Sequence, residues 1–317
     1  PLGGFDSELW RNRDLLTAAS VRFQPGVNED LAATAVWGTQ QLANYPGAKV
    51  DGVFGLWYGK GPGVDRSGDV FKHANYAGTT AHGGVLLVFG DDHPGKSSTV
   101  AHQSEQALAA NLIPVLYPSN VQEILDYGLH GWALSRYSGL WVGLKTVNET
   151  VETTTTVDAR ELDLAIVRPN PSLDDGAIRP RPDYAPQRDE TVVIRDRLPR
   201  VHDYARVNQL DRRVVGRRGA RLGIVTAGKA WGDLRADNEG HCRGQAPQAR
   251  SQRRHVQDKL KVLRHQKPGR ERREEGHDCD GKGRGKGRQA KERKIDQRIG
   301  NTALPPDKDS PGCSTQC

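Results

Sequence analysis

Short apolar runs alternate with helix-length segments over residues 1–156, and this alternation limits the fold more than any other feature of the sequence. Runs rich in Val, Ile, Leu and aromatic residues have the length of strands at residues 50–57, 84–89, 112–116 and 140–147. Ser7 can cap a helix reaching Leu16, and Asn28 can cap another reaching about Leu42. Short buried strands separated by helices predict an α/β fold, with a parallel sheet covered by helices on both faces.

The chain changes character after residue 156. Six prolines interrupt residues 157–215, which indicates an irregular connecting arm with a short helix near residues 201–210. Residues 216–237 resemble the start of a second α/β domain, with a strand at residues 221–228 and a helix at residues 229–235. The predicted organisation is therefore a domain at 1–156, an arm at 157–215, a truncated second domain at 216–237 and a tail at 238–317.

The tail at 238–317 carries the chain's positive charge and none of its aromatic residues. It holds 20 Lys and Arg against 11 Asp and Glu, whereas the preceding residues hold 26 against 28. So polar a segment buries too little apolar surface to offset the entropy of ordering, which predicts disorder. A genuine basic tail is one explanation. Because the aromatic residues stop inside a βα unit, we favour out-of-frame translation.

Several classes of protein are disfavoured by composition. No run approaches 18 consecutive apolar residues, so no membrane association is expected. All four cysteines lie in the tail, and a cysteine-free folded part suits a cytoplasmic protein. Nucleic-acid binding would rest on the tail alone and is not favoured. The chain contains no Met and begins at Pro1, from which we expect residues to be missing upstream.

One motif matches the phosphate-binding P-loop pattern. Residues 90–97 read Gly-Asp-Asp-His-Pro-Gly-Lys-Ser and follow an apolar strand. A P-loop directs backbone N–H groups at anionic oxygens, yet two carboxylates occupy this one and Pro94 removes a donor. A P-loop nucleotide-binding module therefore remains an alternative function, as does a nucleic-acid-binding protein with a basic tail.

Two other stretches could contact a ligand. Lys60, Gly61, Pro62 and Gly63 form a glycine-rich loop after the first strand, which is either a plain tight turn or a close approach to a ligand. Glu29 begins a helix of small residues, where a carboxylate is also favoured by the helix dipole alone. His93 and His102 flank a polar loop and could touch a substrate. No pair of histidines or cysteines has the spacing of a zinc site, so no metal is expected in this chain.

Taken together, the motifs resemble a known family. They run in order as Pro1-Leu2-Gly3-Gly4-Phe5-Asp6, Phe23-Gln24-Pro25-Gly26-Val27-Asn28-Glu29, Leu56-Trp57-Tyr58-Gly59-Lys60-Gly61-Pro62-Gly63-Val64-Asp65-Arg66, Gly90-Asp91-Asp92-His93, Lys96-Ser97-Ser98, His102-Gln103-Ser104-Glu105 and Gln122-Glu123-Ile124-Leu125-Asp126-Tyr127-Gly128. They are similar to the N-terminal part of the large fused indolepyruvate ferredoxin oxidoreductases, strongly to residue 150 and loosely to about residue 236. Nothing after residue 237 resembles that family.

The resemblance implies a fragment of an enzyme that oxidatively decarboxylates an aryl 2-oxoacid to its acyl-CoA and passes electrons to ferredoxin. It implies that residues 1–156 bind the pyrimidine half of thiamine diphosphate, with Glu29 as the catalytic carboxyl at ring N1′. Leu2, Gly3 and the residues Lys60, Gly61, Pro62 and Gly63 would surround the ring. Magnesium, the iron–sulfur clusters and the diphosphate would be held by other parts of the enzyme, which we expect to be a homo-oligomer and to be inactive as this fragment.

Overall fold

The computed structural model describes residues 2–92, 100–158, 164–170, 175–183, 185–216 and 219–242. The strands among them are β1 (Phe54–Lys60), β2 (Gly84–Asp91), β3 (Val115–Leu116) and β4 (Val142–Val147). The α-helices among them are α1 (Gly3–Arg11), α2 (Arg13–Ala18), α3 (Glu29–Thr39), α4 (Gly61–Arg66), α5 (Gly68–Ala77), α6 (Ser104–Ala110), α7 (Val121–Ser138), α8 (Asn148–Val151), α9 (Pro186–Val192), α10 (Leu198–Val207) and α11 (Lys229–Cys242).

The four described strands form one parallel sheet in the order β1-β2-β4-β3. All eight residues of β2 and all six of β4 are buried, as expected for central parallel strands whose two faces are both covered. Leu86 of β2 lies opposite Leu56 of β1 and Val142 of β4. The predicted α/β fold with a parallel sheet between helices is confirmed.

Alternate residues of β2 face two separate apolar clusters, one on each side of the sheet. Val85, Leu87 and Phe89 pack with residues of α3, α4, α5 and α6. Leu86 and Val88 pack with residues of α7 and α10 and with Leu2. Burial of both faces supplies the main stabilisation of such a sheet, because the gain scales with the apolar area removed from water.

The predicted boundaries are close but not identical to the observed ones. Asn28 does cap α3, accepting a hydrogen bond from the backbone N–H of Leu31. Ser7 does not cap a helix: α1 begins at Gly3, and the Ser7 hydroxyl donates instead to the Gly3 carbonyl within the first turns. The first strand begins at Phe54 rather than at residue 50 and continues through Lys60.

The arm at 157–215 contains more regular structure than its prolines suggest. Helix α9 runs into a π-helical turn, Val193–Arg197, and then into α10, with Pro186 and Pro199 at first-turn positions where a missing N–H costs nothing. Arg197 is buried and donates to the carbonyls of Asn75, Tyr76 and Ala77 at the end of α5, at 2.8–3.2 Å. This guanidinium therefore helps to attach the arm to the sheet domain, together with the packing of Tyr204 of α10 in the cluster of Leu86 and Val88.

The strand predicted at residues 221–228 is absent. Residues 221–227 have no regular secondary structure, and Leu222, Ile224 and Val225 are exposed. A strand needs a neighbour to take up its hydrogen bonds, and no described strand pairs with this segment. The helix predicted at residues 229–235 does form, as α11. Helix α11 continues to Cys242, five residues into the tail predicted at 238–317, and residues 243–317 lie outside the described residues. Within the described part, no helix has both the length and the hydropathy needed to cross a membrane.

Candidate functional site

The N-terminus of α3 lies beside the carboxyl end of β1, and it carries Glu29. The side chain of Trp57, in β1, donates from Nε1 to the backbone carbonyl of Glu29 at 3.0 Å. Asn28 fixes the same turn as its N-cap, with Oδ1 2.9 Å from the Leu31 nitrogen. Because two independent hydrogen bonds hold this turn, the position of the Glu29 side chain is set by the sheet as well as by its own helix.

Glu29 is packed directly against Gly63. A Cβ atom built on Gly63 would lie 2.6 Å from Glu29 Cγ and 3.3 Å from Oε1, which real contacts do not permit. The glycine is therefore required for the close approach of the two segments. Among the described residues, no hydrogen bond or ion pair takes up the Glu29 carboxylate, and the side chain is only partly buried. The carboxylate is thus available to a ligand.

Lys60, Gly61, Pro62 and Gly63 do not form the loop that the sequence predicts. Lys60 is the last residue of β1, and the other three form the first turn of α4, with Pro62 at an early position suited to proline. Both glycines are buried and have no left-handed backbone angle. Their role is therefore to admit neighbouring side chains, since neither glycine is needed to form a turn.

His102 occupies the equivalent position against Gly61. A Cβ on Gly61 would lie 2.4 Å from His102 Cβ and Cγ. The ring's Nδ1 is 3.1 Å from Asp65 Oδ2, and the side chain is 11% exposed. Its Nε2 atom is buried and has no hydrogen-bond partner among the described residues. The first turn of α4 therefore contacts two ionisable side chains, Glu29 at Gly63 and His102 at Gly61.

A buried ionic cluster lies at the carboxyl ends of β2 and β4. Lys145 Nζ is 2.7 Å from Glu105 Oε2 and 4.0 Å from Asp91 Oδ2. Asp91 accepts from both the backbone N–H and the hydroxyl of Ser104, each at 2.7 Å, and so anchors the start of α6 two residues after His102. Burial raises the pKa of Asp91. Burial also acts to raise the pKa of Glu105, but the hydrogen bond and charge of Lys145, together with a backbone hydrogen bond, outweigh it and the pKa is lowered.

This cluster counts against the P-loop alternative. Gly90 and Asp91 are the last residues of β2 and do not form part of a phosphate-binding loop. The Asp91 carboxylate points at the start of α6, where it occupies backbone and side-chain donors that a phosphate would need. His93, Lys96 and Ser97, the remainder of the motif, lie outside the described residues.

Leu2 and Gly3 lie on the other face of the sheet from Glu29. Leu2 is buried in the cluster that contains Leu86 and Val88, whereas α3 packs on the opposite cluster. Gly3 is exposed, and a Cβ there would meet no atom within 4 Å. The same segment is tied to β1 by Asp6, which accepts from the Tyr58 hydroxyl at 2.5 Å. The structure therefore brings Glu29 and Gly63 together but does not bring Leu2 or Gly3 to them.

Neither of two cavities found among the described residues includes a predicted site residue. One of about 460 Å³ lies between α2 and residues 21–25, and a smaller one lies between α9 and the end of α3. Within the described part, no group of three or more His, Cys, Asp or Glu side chains is arranged to hold a metal ion.

Sequence reasoning did not identify Asp65 and Lys145 as functional or structural partners. Asp65 is 37 residues from His102, and Lys145 is 40 residues from Glu105, so neither pairing has a local sequence signal. The topology gave a weak signal for both pairings, because residues near the carboxyl ends of parallel strands lie at one edge of the sheet.

Comparison with known proteins gives a distant relationship. No family model matches the chain. Over 222 residues, the chain is 27% identical to a protein of Methanothermobacter marburgensis named indolepyruvate oxidoreductase subunit IorA. The alignment covers 67% of this chain and 32% of that protein. The chain therefore spans about a third of the length of this relative, and the similarity is to a subunit of an oxidoreductase.

Proposed function

We propose that this chain provides the pyrimidine-binding part of a thiamine-diphosphate-dependent 2-oxoacid oxidoreductase. The observation that carries the proposal is the Glu29 carboxylate, held at the first turn of α3 against Gly63 and without a partner among the described residues. The distant relationship to an indolepyruvate oxidoreductase subunit supports the same conclusion independently. Indolepyruvate or a similar aryl 2-oxoacid is the substrate we propose.

The residues of the site fit the aminopyrimidine half of this cofactor. A carboxyl group is the partner that ring N1′ requires, because it can donate a hydrogen bond to that nitrogen and exchange a proton with it. Glu29 would hold this proton, while Trp57 and Asn28 keep the turn that carries it in place. Thiamine diphosphate, once bound, supplies the electron sink for decarboxylation. The small volume of Gly63 keeps the ring-facing surface open beside the carboxylate.

The complete reaction requires more than these residues. The proposed enzyme releases carbon dioxide from the 2-oxoacid, transfers the acyl group to coenzyme A and passes two electrons to ferredoxin. Since the chain spans about a third of its relative, we propose that the diphosphate, its magnesium ion and the iron–sulfur clusters are bound elsewhere in the enzyme. We also propose that Lys60 and Pro62 contribute indirectly, by supporting the surface around the ring, whereas Leu2 and Gly3, on the other face of the sheet, do not contact it.

The test uses the pyrimidine half alone, because this chain would contact that half. Binding of 4-amino-5-hydroxymethyl-2-methylpyrimidine to the full chain is measured by saturation-transfer NMR at millimolar concentration. Glu29→Gln removes the exchangeable carboxyl proton with little change in shape, and we expect it to abolish the transfer signal. Asp69→Asn is the matched control, because Asp69 is also an acidic residue in a helix first turn and its side chain is 90% exposed.

The same substitution has a kinetic consequence in the complete enzyme. A positioned acid or base contributes about 100-fold or more to turnover, so Glu29→Gln should lower kcat by at least that factor while Asp69→Asn leaves it unchanged. Near-normal turnover, or a wild-type chain that gives no pyrimidine signal, would remove Glu29 from the proposed role.

A further inference from the structure

The unpaired ring nitrogen of His102 is the polar atom that the proposed function leaves unexplained. Its side chain is 11% exposed, and its Nε2 atom is fully buried with no hydrogen-bond partner among the described residues. Buried polar atoms are nearly always paired, and an unpaired one in a folded protein calls for a specific explanation. The atom lies beside Gly61, in the same helical turn that receives Glu29 at Gly63.

Asp65 determines what His102 can offer to a ligand. Its carboxylate only accepts hydrogen bonds, so the ring nitrogen that faces it, Nδ1, carries the hydrogen. In the neutral ring the other nitrogen then has a lone pair and no hydrogen. Nε2 is therefore an acceptor, and the group that satisfies it is an N–H or O–H donor of a ligand.

We propose that His102 is a second ligand-binding residue of this site, and that its Nε2 accepts a hydrogen bond from the exocyclic amino group of the aminopyrimidine. The proposal rests on the proposed function, since the same ring provides both contacts. The ring has a nitrogen that accepts from the Glu29 carboxyl and an amino group that donates, and the two side chains flank one turn of α4. The Glu29 carboxyl can therefore donate to the ring nitrogen, and His102 Nε2 can accept from the amino group at the other end of the ring. Asp65 is a positioning residue that acts through His102.

The first measurement needs no ligand. In the full chain labelled with ¹⁵N-histidine, the His102 resonances should show the neutral tautomer with hydrogen on Nδ1. Asp65→Ala should shift them towards the tautomer with hydrogen on Nε2, which free imidazole side chains prefer. Asp65 is 59% exposed, so this variant keeps the fold. Hydrogen on Nε2 in the wild-type chain would overturn the proposal, because the atom could not then accept.

The second measurement compares two pyrimidines that differ in the substituent at position 4, where the proposed contact lies, and uses His102→Ala to isolate the part of the difference that His102 causes. The full chain should bind the 4-amino compound about five- to tenfold more tightly than the 4-oxo analogue, the range expected of one neutral hydrogen bond. In His102→Ala the affinities for the two compounds should become equal. His202→Ala, at an exposed histidine of α10, is the control and should keep the wild-type preference.

The outcomes separate the two proposals. Two results would overturn the role of His102 and leave that of Glu29 untouched. In the first, His102→Ala and Asp65→Ala both keep the wild-type preference for the 4-amino compound. In the second, each of these variants loses affinity for the 4-amino and the 4-oxo compound equally. Wild-type affinity for the amino compound in Glu29→Gln overturns the proposed function, whatever His102 does. A wild-type chain that binds neither pyrimidine overturns both.

Discussion

At the scale of single residues, Gly63 is important because it has no side chain, and the side chain of Glu29 packs where a Cβ atom would lie. Gly63→Ala would place a methyl group 2.6 Å from Glu29 Cγ, so we expect Glu29 to move and the protein to lose about 1–3 kcal/mol of unfolding free energy. Urea denaturation measures the loss, and the pyrimidine signal should fall with it. Gly38→Ala in α3 meets no atom within 4 Å and should be neutral or stabilising. Equal stability of the two variants would show that Glu29 does not depend on Gly63.

Lys145 is the residue whose charge the interior depends on. Its side chain is 2% exposed and faces both Glu105 and Asp91. Lys145→Met leaves the buried Asp91 and the partly exposed Glu105 without a cation, and we expect it to lower the unfolding free energy by about 3 kcal/mol. Arg206→Met, at an exposed pair with Asp203, should cost less than about 1 kcal/mol. Adding Glu105→Gln to Lys145→Met should restore part of the lost unfolding free energy. If the effects of the two substitutions on unfolding free energy simply add, charge is not the cause of the loss.

Residue roles were only partly predictable from the sequence. A capping Asn and a preceding turn are local signals that place Glu29 at the start of a helix, but its catalytic role was predicted only from the resemblance to the family. The contact that holds it depends on Gly63, 34 residues away, and no local pattern reports such a contact. Leu2 was assigned to the ligand on resemblance and instead is buried in the apolar cluster of the opposite face.

At the scale of elements, Arg197 is one of the buried side chains that attach the helical arm to the sheet domain. Arg197→Met leaves the carbonyls of Ile178, Asn75, Tyr76 and Ala77 without this donor, so we expect a loss of about 3 kcal/mol or more. Limited proteolysis should then cut within the arm at lower protease concentration. Arg195→Met in the same π-helical turn is the control, because Arg195 is 72% exposed and pairs only with its neighbour Asp196 among the described residues. Equal cleavage of the two variants would refute the anchoring role.

The elements themselves were largely predictable, and the exceptions have physical causes. Strongly apolar runs gave all four described strands, because a central parallel strand is apolar on both faces. Residues 60–63 were predicted as a loop, since two glycines disfavour a helix; packing against His102 and Glu29 outweighs that preference. The segment 221–228 has strand composition, yet no described strand lies beside it to pair with.

At the scale of the whole molecule, acid should weaken the ion-pair cluster inside the arm, where Asp175 pairs with Arg168, Arg179 and Arg200. Burial acts to raise the pKa of Asp175, but its hydrogen bond from Arg200 and the nearby Arg179 and Arg168 outweigh it and lower the pKa. Because the pKa of Asp175 is lower in the folded protein than in the unfolded chain, its charge stabilises the fold at pH values above the ordinary pKa of 3.8. This stabilisation is lost as the pH falls through the pKa that Asp175 has in the folded protein.

Asp175→Asn should therefore cost most near neutral pH and progressively less below about pH 4. Urea unfolding at pH 7, 5 and 3.5 measures the difference from wild type at each pH. Asp203→Asn, at an exposed ion pair, should show no comparable pH dependence. A cost for Asp175→Asn that stays constant across this range would mean that its charge is not what stabilises the arm.

The domain organisation stays a prediction beyond the sheet. The division at residues 156, 215 and 237 follows composition, and the similarity to the archaeal relative covers only two thirds of the chain. Sequencing the gene around codon 237 would decide whether the tail is out of frame: an alternative frame that continues into apolar α/β sequence would establish it.

The exposed segment around Val225 has a practical consequence for anyone who handles the protein. Leu222 and Ile224 are two-thirds exposed and Val225 is wholly exposed, in a stretch with the composition of a β-strand. In two molecules that collide, such segments can pair as neighbouring β-strands, as the segments of fibril-forming peptides do. Concentrated solutions of the protein should therefore aggregate on storage, which light scattering would detect. Val225→Lys should prevent this aggregation.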